Sequence, residues 1–466
     1  MRILKTIVLS GFLMLTGCEN RPSLPTSSTF DVARHAGVWR SQGYGYVMKV
    51  DADGMNLFDV NQKGCVTKAI DSADIASHMA IFSDINKDHI VVSPTNHSTQ
   101  YHFDRLDGEK AKAVLANCMK ASNKKVMDNF EYFSQTMAEH YAFFDVYEQD
   151  WAKIVSHSRG KITANMSEEA LFTLFSDMLK DLDDAHLFLT GEVNGSAKRF
   201  SPNQSRILRP ALDAAYDKQQ SIDNPRAFRR HWYESYKTQV RSSILKDSAN
   251  DIGQFIIWGT IDNIGYINLQ RMQGFSDSGS IQDDVAAIRK AMDVIMASLE
   301  QTDAVIIDIT ANGGGHDEVG LAIARYFNSQ RRVAYSKSAK GGPQPSQVFY
   351  LESAFGKAYT KPVYLVTSDH TVSAAETFTM AMRSIPHVTH VGDTTRGAHS
   401  DILDKTLPNG WNLGLSNEVY TDADGEISEG RGLVPEWKLP VFGGADVFTS
   451  HTQAIASLMT RVKTPV

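Results

Sequence analysis

Residues 304–315 read AVIIDITANGGG, an almost wholly apolar run that ends in three glycines. A short run of this composition predicts a strand that is buried on both faces. Apolar strand patterns of the same kind lie at residues 264–269 and 362–367, and residues 281–299 carry a helical pattern. Strands that alternate with helices in this way predict an α/β layer fold for this part of the chain.

The earlier part of the chain shows two other patterns. Residues 37–103 contain short strand-like runs separated by Asp-Gly and Lys-Gly turns, which predict a small β-rich domain. Apolar residues then recur at helical spacing over residues 126–141 and again over residues 167–182. We expect two amphipathic helices there, with Ser167 as the N-cap of the second.

The glycine run Gly313–Gly315 lies between the predicted strand and the helix that follows it. Consecutive glycines let backbone N–H groups approach a ligand closely, and the start of a helix adds positive potential. Such a loop suits an anion, either a phosphate or the oxyanion of an acyl transfer. A plain glycine turn explains the run equally well, and the spacing matches neither the dinucleotide fingerprint nor the P-loop.

Residues 371–376 read TVSAAE and follow a predicted strand, which puts the hydroxyl of Ser373 at a strand-to-helix junction. There the helix dipole and the next backbone N–H could stabilise a tetrahedral intermediate. Ser373 and Glu376 also fit a helix capping box. Taken by itself, the motif favours the capping box over a nucleophile.

His186 ends the second helical region and follows a run of acids that includes Asp183 and Asp184. A serine hydroxyl is a poor nucleophile until a base removes its proton, and histidine is the usual base. A histidine beside acids is more often structural or solvated. Spacing in the sequence does not show whether His186 and Ser373 meet.

Taken in order, five motifs within about residues 120–440 resemble peptidase family S41, the C-terminal processing and tricorn core proteases. The motifs are LDDAH at 182–186, IDITANGG at 307–314, TVSAAE at 371–376, GDTTRG at 392–397 and EGRGLVP at 429–435. The resemblance implies a ClpP/crotonase-like α/β catalytic domain. It also implies a serine-type peptidase that acts on a peptide or protein substrate, without a cofactor or metal ion.

Two branches of this family differ in the catalytic base. The processing proteases use a lysine shortly after the Thr-x-Gly segment, and this chain has Ala398 there, with Lys405 further on. The tricorn-like branch uses serine, histidine and glutamate. Its pattern implies Ser373 as the nucleophile, His186 as the general base and then acid, and Glu429 as the carboxylate that orients the imidazole.

The resemblance also suggests an oxyanion hole formed by the backbone N–H groups of Ala374 and of Gly314 or Gly313. The tricorn-like proteases carry a serine just before the catalytic histidine, whereas this chain has Ala185. We expect the missing serine to affect the rate of the reaction more than its mechanism. Glu429 by itself would also fit a surface acid in a turn.

Three further polar residues lie beside these motifs: Asp317, Arg396 and His399. Each could contact a substrate, and each fits an ordinary polar surface residue equally well.

The first residues of the chain are typical of an export signal. A basic start at Arg2 and Lys5 precedes an apolar run at residues 7–15, too short to span a bilayer. The run ends in LTGC at 15–18, which resembles a bacterial lipobox with Cys18 as the lipidated residue. An ordinary secretory signal and a buried N-terminal helix are the alternatives. The absence of Asp after Cys18 favours the outer membrane, with the protein facing the periplasm.

Cys65 and Cys118 are the remaining cysteines. An exported protein meets an oxidising compartment, so we expect a disulfide between them. Two separate buried thiols are the alternative.

These patterns predict the following order along the chain: a signal peptide at 1–17, a tether at 18–30, a small β-rich domain at 31–118, a helical subdomain ending in the catalytic histidine at 119–195, a linker region at 196–262, and the catalytic α/β domain at 263–445. The net charge of −7 and the lack of a basic run argue against a nucleic-acid partner. The sequence does not specify the oligomeric state.

Two other classes of function stay open at this point. A catalytically inactive protein that binds a small ligand or peptide could share the fold, although the serine, histidine and glutamate positions argue against it. An acyl-CoA enzyme would use Gly313–Gly315 as its oxyanion hole. Export as a lipoprotein argues against the acyl-CoA enzyme, because CoA substrates are cytoplasmic.

Overall fold

The computed structural model describes residues 32–68, 79–94, 98–119, 123, 125–202, 205–219, 222–343 and 346–463. The predicted signal peptide, most of the tether and Cys18 therefore lie outside the described residues. Across the described ranges, none of the helices combines the length and the apolar character needed to cross a bilayer.

The strands, in chain order, are β1 Gly37–Ser41, β2 Tyr46–Asp51, β3 Gly54–Asn61, β4 Gly64–Thr67, β5 Met79–Asn86, β6 His89–Pro94, β7 Tyr101–Arg105, β8 Cys118–Met119, β9 Phe188–Val193, β10 Ser196–Phe200, β11 Asn250–Ile252, β12 Ile256–Ile261, β13 Ile264–Leu269, β14 Ala304–Asp308, β15 Arg332–Ala339, β16 Gln347–Leu351, β17 Val363–Thr367, β18 Val388–Gly392, β19 Ile402–Thr406, β20 Asn412–Ser416, β21 Glu418–Asp422 and β22 Trp437–Lys438.

The α-helices are α1 Val32–His35, α2 Gly108–Ala116, α3 Val126–His140, α4 Trp151–Arg159, α5 Glu168–Leu179, α6 Leu208–Lys218, α7 Pro225–Gln239, α8 Ile281–Leu299, α9 Asp317–Ala324, α10 Ala374–Arg383 and α11 Ser450–Lys463. A π-helical turn at Val240–Leu245 continues α7. The predicted Ser167 cap is present, since its side chain accepts the N–H of Ala170.

The N-terminal region is one sheet in the order β5-β6-β7-β1-β2-β3-β4-β8. Alternating residues of β1, β2 and β3 form its core, as the period-2 pattern predicted. The short strand β8 pairs in parallel with β4, and a disulfide between Cys65 and Cys118 joins the same two strands. The β-rich N-terminal region is therefore confirmed.

The α/β part of the chain is built on a seven-stranded sheet in the order β11-β12-β13-β14-β17-β18-β22. The strands from β13 to β22 are parallel. Helices α8, α9 and α10 cover one face, and α6, α7 and α11 cover the other. Successive side chains of a strand point to opposite faces, and helices cover both faces of this sheet. All residues of β14 are therefore buried, which explains its unbroken apolar run.

The region predicted as a linker, residues 196–262, is regular structure, so that prediction was wrong. It contains β10, α6, α7, β11 and β12. In α7 the buried residues are Phe228, Trp232 and Tyr236, spaced four apart, and the rest of the helix is polar. So narrow a stripe barely raises the local hydropathy, and the segment consequently resembles a loop in sequence.

Two smaller sheets are also present. One has the order β10-β9-β20-β19 and packs against α3, α4 and α5. The other has the order β16-β15-β21. Strand β9 of the first of these sheets begins at Phe188, two residues after His186.

Candidate active site

Ser373 stands at the start of α10 with a φ of 61°. A positive φ is uncommon outside glycine, and such strain often accompanies a functional residue. Its N–H donates to the carbonyl of Ala398 at 3.0 Å. A Cβ atom placed on Gly314 would lie 2.7 Å from the Cβ of Ser373, so only glycine allows this close approach.

The carboxylate of Glu376 holds this turn in place. It accepts from the Ser373 N–H at 3.3 Å, which is the glutamate half of a capping box. The same carboxylate also accepts from the Thr395 hydroxyl at 2.6 Å and from the N–H groups of Gly397 and Ala398 at 2.7 and 2.9 Å. Glu376 therefore ties the turn of Ser373 to the segment at 395–398.

The glycine loop lies directly against Ser373. The side chain of Asn312 accepts the N–H of Gly314 at 2.9 Å and donates to the carbonyl of Leu269 at 3.0 Å. Within the described ranges the N–H groups of Gly313 and Ala374 have no hydrogen-bond acceptor. Of the two glycines considered from the sequence, Gly313 is thus the one whose N–H is available to an oxyanion.

His186 is buried, and its N–H donates to the Asp184 carboxylate at 2.8 Å. Its ring Nδ1 is buried and has no partner in the part of the chain that the structure describes. Ala185 and Val372, the residues just before His186 and Ser373, line one cavity. The structure thus brings the segments of the two predicted catalytic residues to the same cavity.

A second link joins these segments. The Arg396 guanidinium donates to Asp183 at 2.9 Å, and the Arg396 N–H donates to the carbonyl of Thr371 at 2.9 Å. Arg206 bridges Asp183 at 2.8 Å and the carbonyl of Gly430 at 3.2 Å. Arginines therefore connect the loop before His186 with the motifs of Ser373 and of Glu429.

Glu429 is only 2 % exposed, so it is not the surface acid that the sequence left open. One carboxylate oxygen accepts from the backbone N–H of His399 at 2.9 Å and lies 3.2 Å from its Nδ1. The other oxygen is buried without a partner among the described residues. The structure accordingly pairs Glu429 with His399, and it does not bring Glu429 into a hydrogen bond with His186.

His399 lies between two carboxylates. Its Nε2 is 3.1 Å from the Ser428 hydroxyl and 3.6 Å from a Glu376 oxygen. Burial disfavours the charged ring, but the negative charges of Glu376 and Glu429 outweigh that effect and raise the pKa of His399. Burial also raises the pKa of Glu429, against the bonds that it receives from His399.

The alternative interpretation of His399 and Arg396 as surface residues was wrong, since they are 2 % and 5 % exposed. Sequence reasoning missed the pairing of His399 with Glu429. The available signal was position: His399 directly follows Ala398, which occupies the lysine position of the processing branch.

Three buried polar atoms near these residues lack a hydrogen-bond partner in the described ranges. They belong to Tyr147, His186 and Glu429. Burial, and after it the negative charges of Asp184 and Glu429, raise the pKa of Tyr147.

No three His, Cys, Asp or Glu side chains in the described ranges converge in a way that could hold a metal ion. The site itself offers a serine hydroxyl, two imidazoles, carboxylates and the N–H groups of Gly313 and Ala374.

Comparison with known proteins gives three findings. Residues 263–439 match the family model described as peptidase family S41. Carboxy-terminal processing protease CtpA of Bacillus subtilis (strain 168) is 28 % identical over 143 residues, which is 30 % of this chain and 30 % of that protein. The chain thus aligns with under a third of this relative. A solved structure from Parabacteroides merdae, described as that of a peptidase, has a TM-score of 0.56 at 21 % identity and covers 72 % of this chain and 96 % of its own.

Proposed function

We propose that this chain, whose residues 263–439 belong to peptidase family S41, is a serine-type peptidase that cleaves peptide bonds through Ser373. The observation that carries the proposal is the setting of Ser373 at the first turn of α10, with a positive φ and against Gly314. Beside it lie the unbonded N–H groups of Gly313 and Ala374. Preorganised donors of this kind stabilise the oxyanion of an acyl transfer.

In the proposed reaction the Ser373 hydroxyl attacks the carbonyl carbon of the scissile bond while His186 accepts its proton. The resulting oxyanion receives hydrogen bonds from Gly313 and Ala374. Collapse of the intermediate breaks the C–N bond, and His186 returns the proton to the leaving amine. A water activated by His186 then hydrolyses the acyl-enzyme and restores Ser373.

Glu429 has the proposed role of orienting the imidazole of His186. Nδ1 of His186 and the free oxygen of Glu429 are both buried without partners in the described ranges, so one hydrogen bond would satisfy both. The negative charge of Asp184 contributes to the raised pKa of Glu429, and the same Asp184 accepts the N–H of His186. Catalytic hydrogen bonds often close only when substrate is bound, and we propose that substrate closes this one.

The proposed location is the periplasmic side of the cell envelope, with the outer membrane favoured and Cys18 as the lipid anchor. The disulfide between Cys65 and Cys118 supports an oxidising compartment. Replacing Cys18 with Ser should move the protein from the membrane pellet to the soluble fraction, and a variant that stays in the pellet would refute the anchor.

The deciding experiment is labelling with a fluorophosphonate probe together with cleavage of a peptide mixture read by mass spectrometry. We expect the wild type to be labelled and to cleave peptides, and Ser373→Ala to lose both. His186→Ala should lose cleavage by at least about a thousandfold, because the nucleophile then has no base.

Ser298→Ala is the matched control, since Ser298 is an exposed serine on α8 outside the five motifs. It should keep wild-type labelling and cleavage. A wild type that is folded but neither labelled nor active would instead support the alternative, a catalytically inactive peptide- or ligand-binding protein on the same fold.

A further inference from the structure

A cavity of about 420 Å³ opens beside the candidate nucleophile. Val372 and Ala185, which precede Ser373 and His186, form part of its wall. A substrate residue next to the scissile bond would therefore have this cavity within reach. Its volume is within the range of about 300–1,000 Å³ that is usual for ligand sites.

The opposite wall comes from helices outside the matched range 263–439. Leu208 and Leu212 of α6 and Trp232 and Tyr233 of α7 line it. Leu208, Leu212 and Trp232 are almost completely buried in the core beneath the sheet, so this wall is held firmly. The indole N–H of Trp232 donates to the carbonyl of Val447 at 3.0 Å, which fixes the orientation of its ring.

The charged groups at this cavity are largely neutralised by the protein itself. Arg209 donates to Asp213 at 2.9 and 3.0 Å. Asp369 accepts the N–H groups of Ile207 and Leu208. Because these charges already have partners, attraction to a charged substrate side chain is weak, and contact with the apolar wall dominates.

Arg229 also has a partner on this wall, since it forms an ion pair with Asp213, but this contact is the loosest of the three. Its Nη1 is buried without a hydrogen-bond partner in the described ranges, and the nearest carboxylate oxygen, on Asp213, is 3.7 Å away. Burial lowers the pKa of Arg229. An oxygen acceptor from a bound peptide would satisfy this atom.

We propose that the cavity between α6, α7 and the Val372–Ser373 turn is a selectivity pocket, which takes a large apolar side chain next to the scissile bond. Arg229 donates to a backbone carbonyl oxygen of the same substrate. This inference rests on the proposed peptidase function, which it deepens by naming the residue class that the enzyme selects.

The test compares the cleavage of matched peptides that carry Leu, Phe or Ala at each position flanking the scissile bond. Leu212→Trp fills the pocket and Leu212→Ala enlarges it. Active sites are counted with the fluorophosphonate probe, so that kcat refers to folded enzyme. Val294→Trp, on the exposed face of α8, is the control and should keep the wild-type ratios.

We expect wild type to prefer Leu or Phe over Ala at one flanking position by at least about tenfold in kcat/KM. Leu212→Trp should remove that preference, and Leu212→Ala should shift it toward Phe. If both variants keep the wild-type ratios, or lower kcat/KM equally for all three peptides, the pocket does not select the substrate. Failure of the peptidase function itself would appear differently, as a wild type without labelling or cleavage.

Discussion

Glu376 shows what it takes to hold a serine in a strained conformation. Burying a carboxylate is unfavourable unless its oxygens are bonded, and this one accepts four donors from two separate segments. The gain from those bonds helps to offset the positive φ of Ser373. The sequence suggested Glu376 as the partner of Ser373 in a capping box, and the structure gives it a wider role that depends on residues about twenty positions away.

The close contact between Gly314 and Ser373 makes a first prediction at this scale. In Gly314→Ala the new Cβ would meet the Ser373 Cβ at 2.7 Å and the Val372 carbonyl oxygen at 2.8 Å, on a backbone with a φ of 90°. Ser373 must then move. Misplacement of a reacting atom by about 1 Å can reduce the rate about a hundredfold, and we expect a fall in kcat of that order.

Steady-state kinetics with active-site titration measure this effect. Gly356→Ala is the control, because a Cβ at Gly356 meets no atom within 4 Å. An alanine at 314 with wild-type kcat would show that the Gly314–Ser373 contact does not position the nucleophile.

His399 leads to a second prediction, on pH dependence. Its pKa is raised in the folded protein, so the stability that it contributes is complete below the ordinary histidine value of about 6.5. That contribution is lost as pH rises through the pKa of the folded state. The groups that face the ring are Glu376, Glu429, Ser428 and the more distant Asp317.

Chemical denaturation between pH 6 and 9 should show the free energy of unfolding of wild type falling more steeply than that of His399→Gln. His157→Gln, at an exposed histidine of α4, is the control and should follow wild type. Parallel curves for wild type and His399→Gln would contradict a protonated His399 in the folded state.

Among the elements, the strands and helices of the central sheet were predictable. Strand β13 and helix α8 have the predicted bounds, because continuous apolar runs and a wide apolar stripe are strong signals. Helix α7 was missed because three aromatic residues carry its whole buried face. The difference lies in how many side chains each element buries.

The strand β8 supports a prediction at the element scale. It has two residues and one partner strand, so the disulfide supplies much of what keeps it in place. The bridge closes a loop with a sequence separation of 53. Loss of a bridge of this kind usually costs about 2–4 kcal/mol.

We therefore expect the free energy of unfolding of the Cys65→Ala/Cys118→Ala variant to be lower than that of wild type by that amount, as measured by chemical denaturation. Reductant should lower the stability of wild type and leave the variant unchanged. Equal stability of the two proteins without reductant would mean that the remaining sheet contacts suffice.

On the scale of the whole molecule, two buried lysines join the N-terminal sheet to the catalytic part. Lys405 donates to Asp59 at 3.0 Å and to the carbonyl of Tyr44 at 2.6 Å. Lys337 donates to Thr99 at 2.7 Å and to Asp401 at 2.6 Å. Lys405, the nearest lysine to the missing dyad position, thus holds two regions together.

Lys405→Met tests this junction. The variant leaves the buried Asp59 carboxylate with the Thr406 N–H at 2.9 Å and Lys68 at 3.4 Å but without its closest cation. Removing one partner of a buried pair costs about 3–5 kcal/mol. Adding Asp59→Asn should recover much of that loss, as a double-mutant cycle measured by denaturation would show. If the double variant is no more stable than Lys405→Met, the pair is not coupled.

Such junctions mark the limit of prediction from sequence. The motifs predicted Ser373, His186 and Glu429 as a set, but the bond between Tyr44 and Glu418 joins residues 374 positions apart. Local periodicity carries no information about a contact at that separation. For the same reason the sequence did not predict the pairing of His399 with Glu429, which lies 30 positions away.

The Lys405–Asp59 contact also has a consequence in time. A chain is made from its N-terminus, and Lys405 comes 346 residues after Asp59. At about 5–20 residues per second the acid waits roughly 20–70 s for its partner to be synthesised. During that interval Asp59 has Lys68 as an ion-pair partner but lacks Lys405, so we expect the first sheet to gain its full stability last although it is made first.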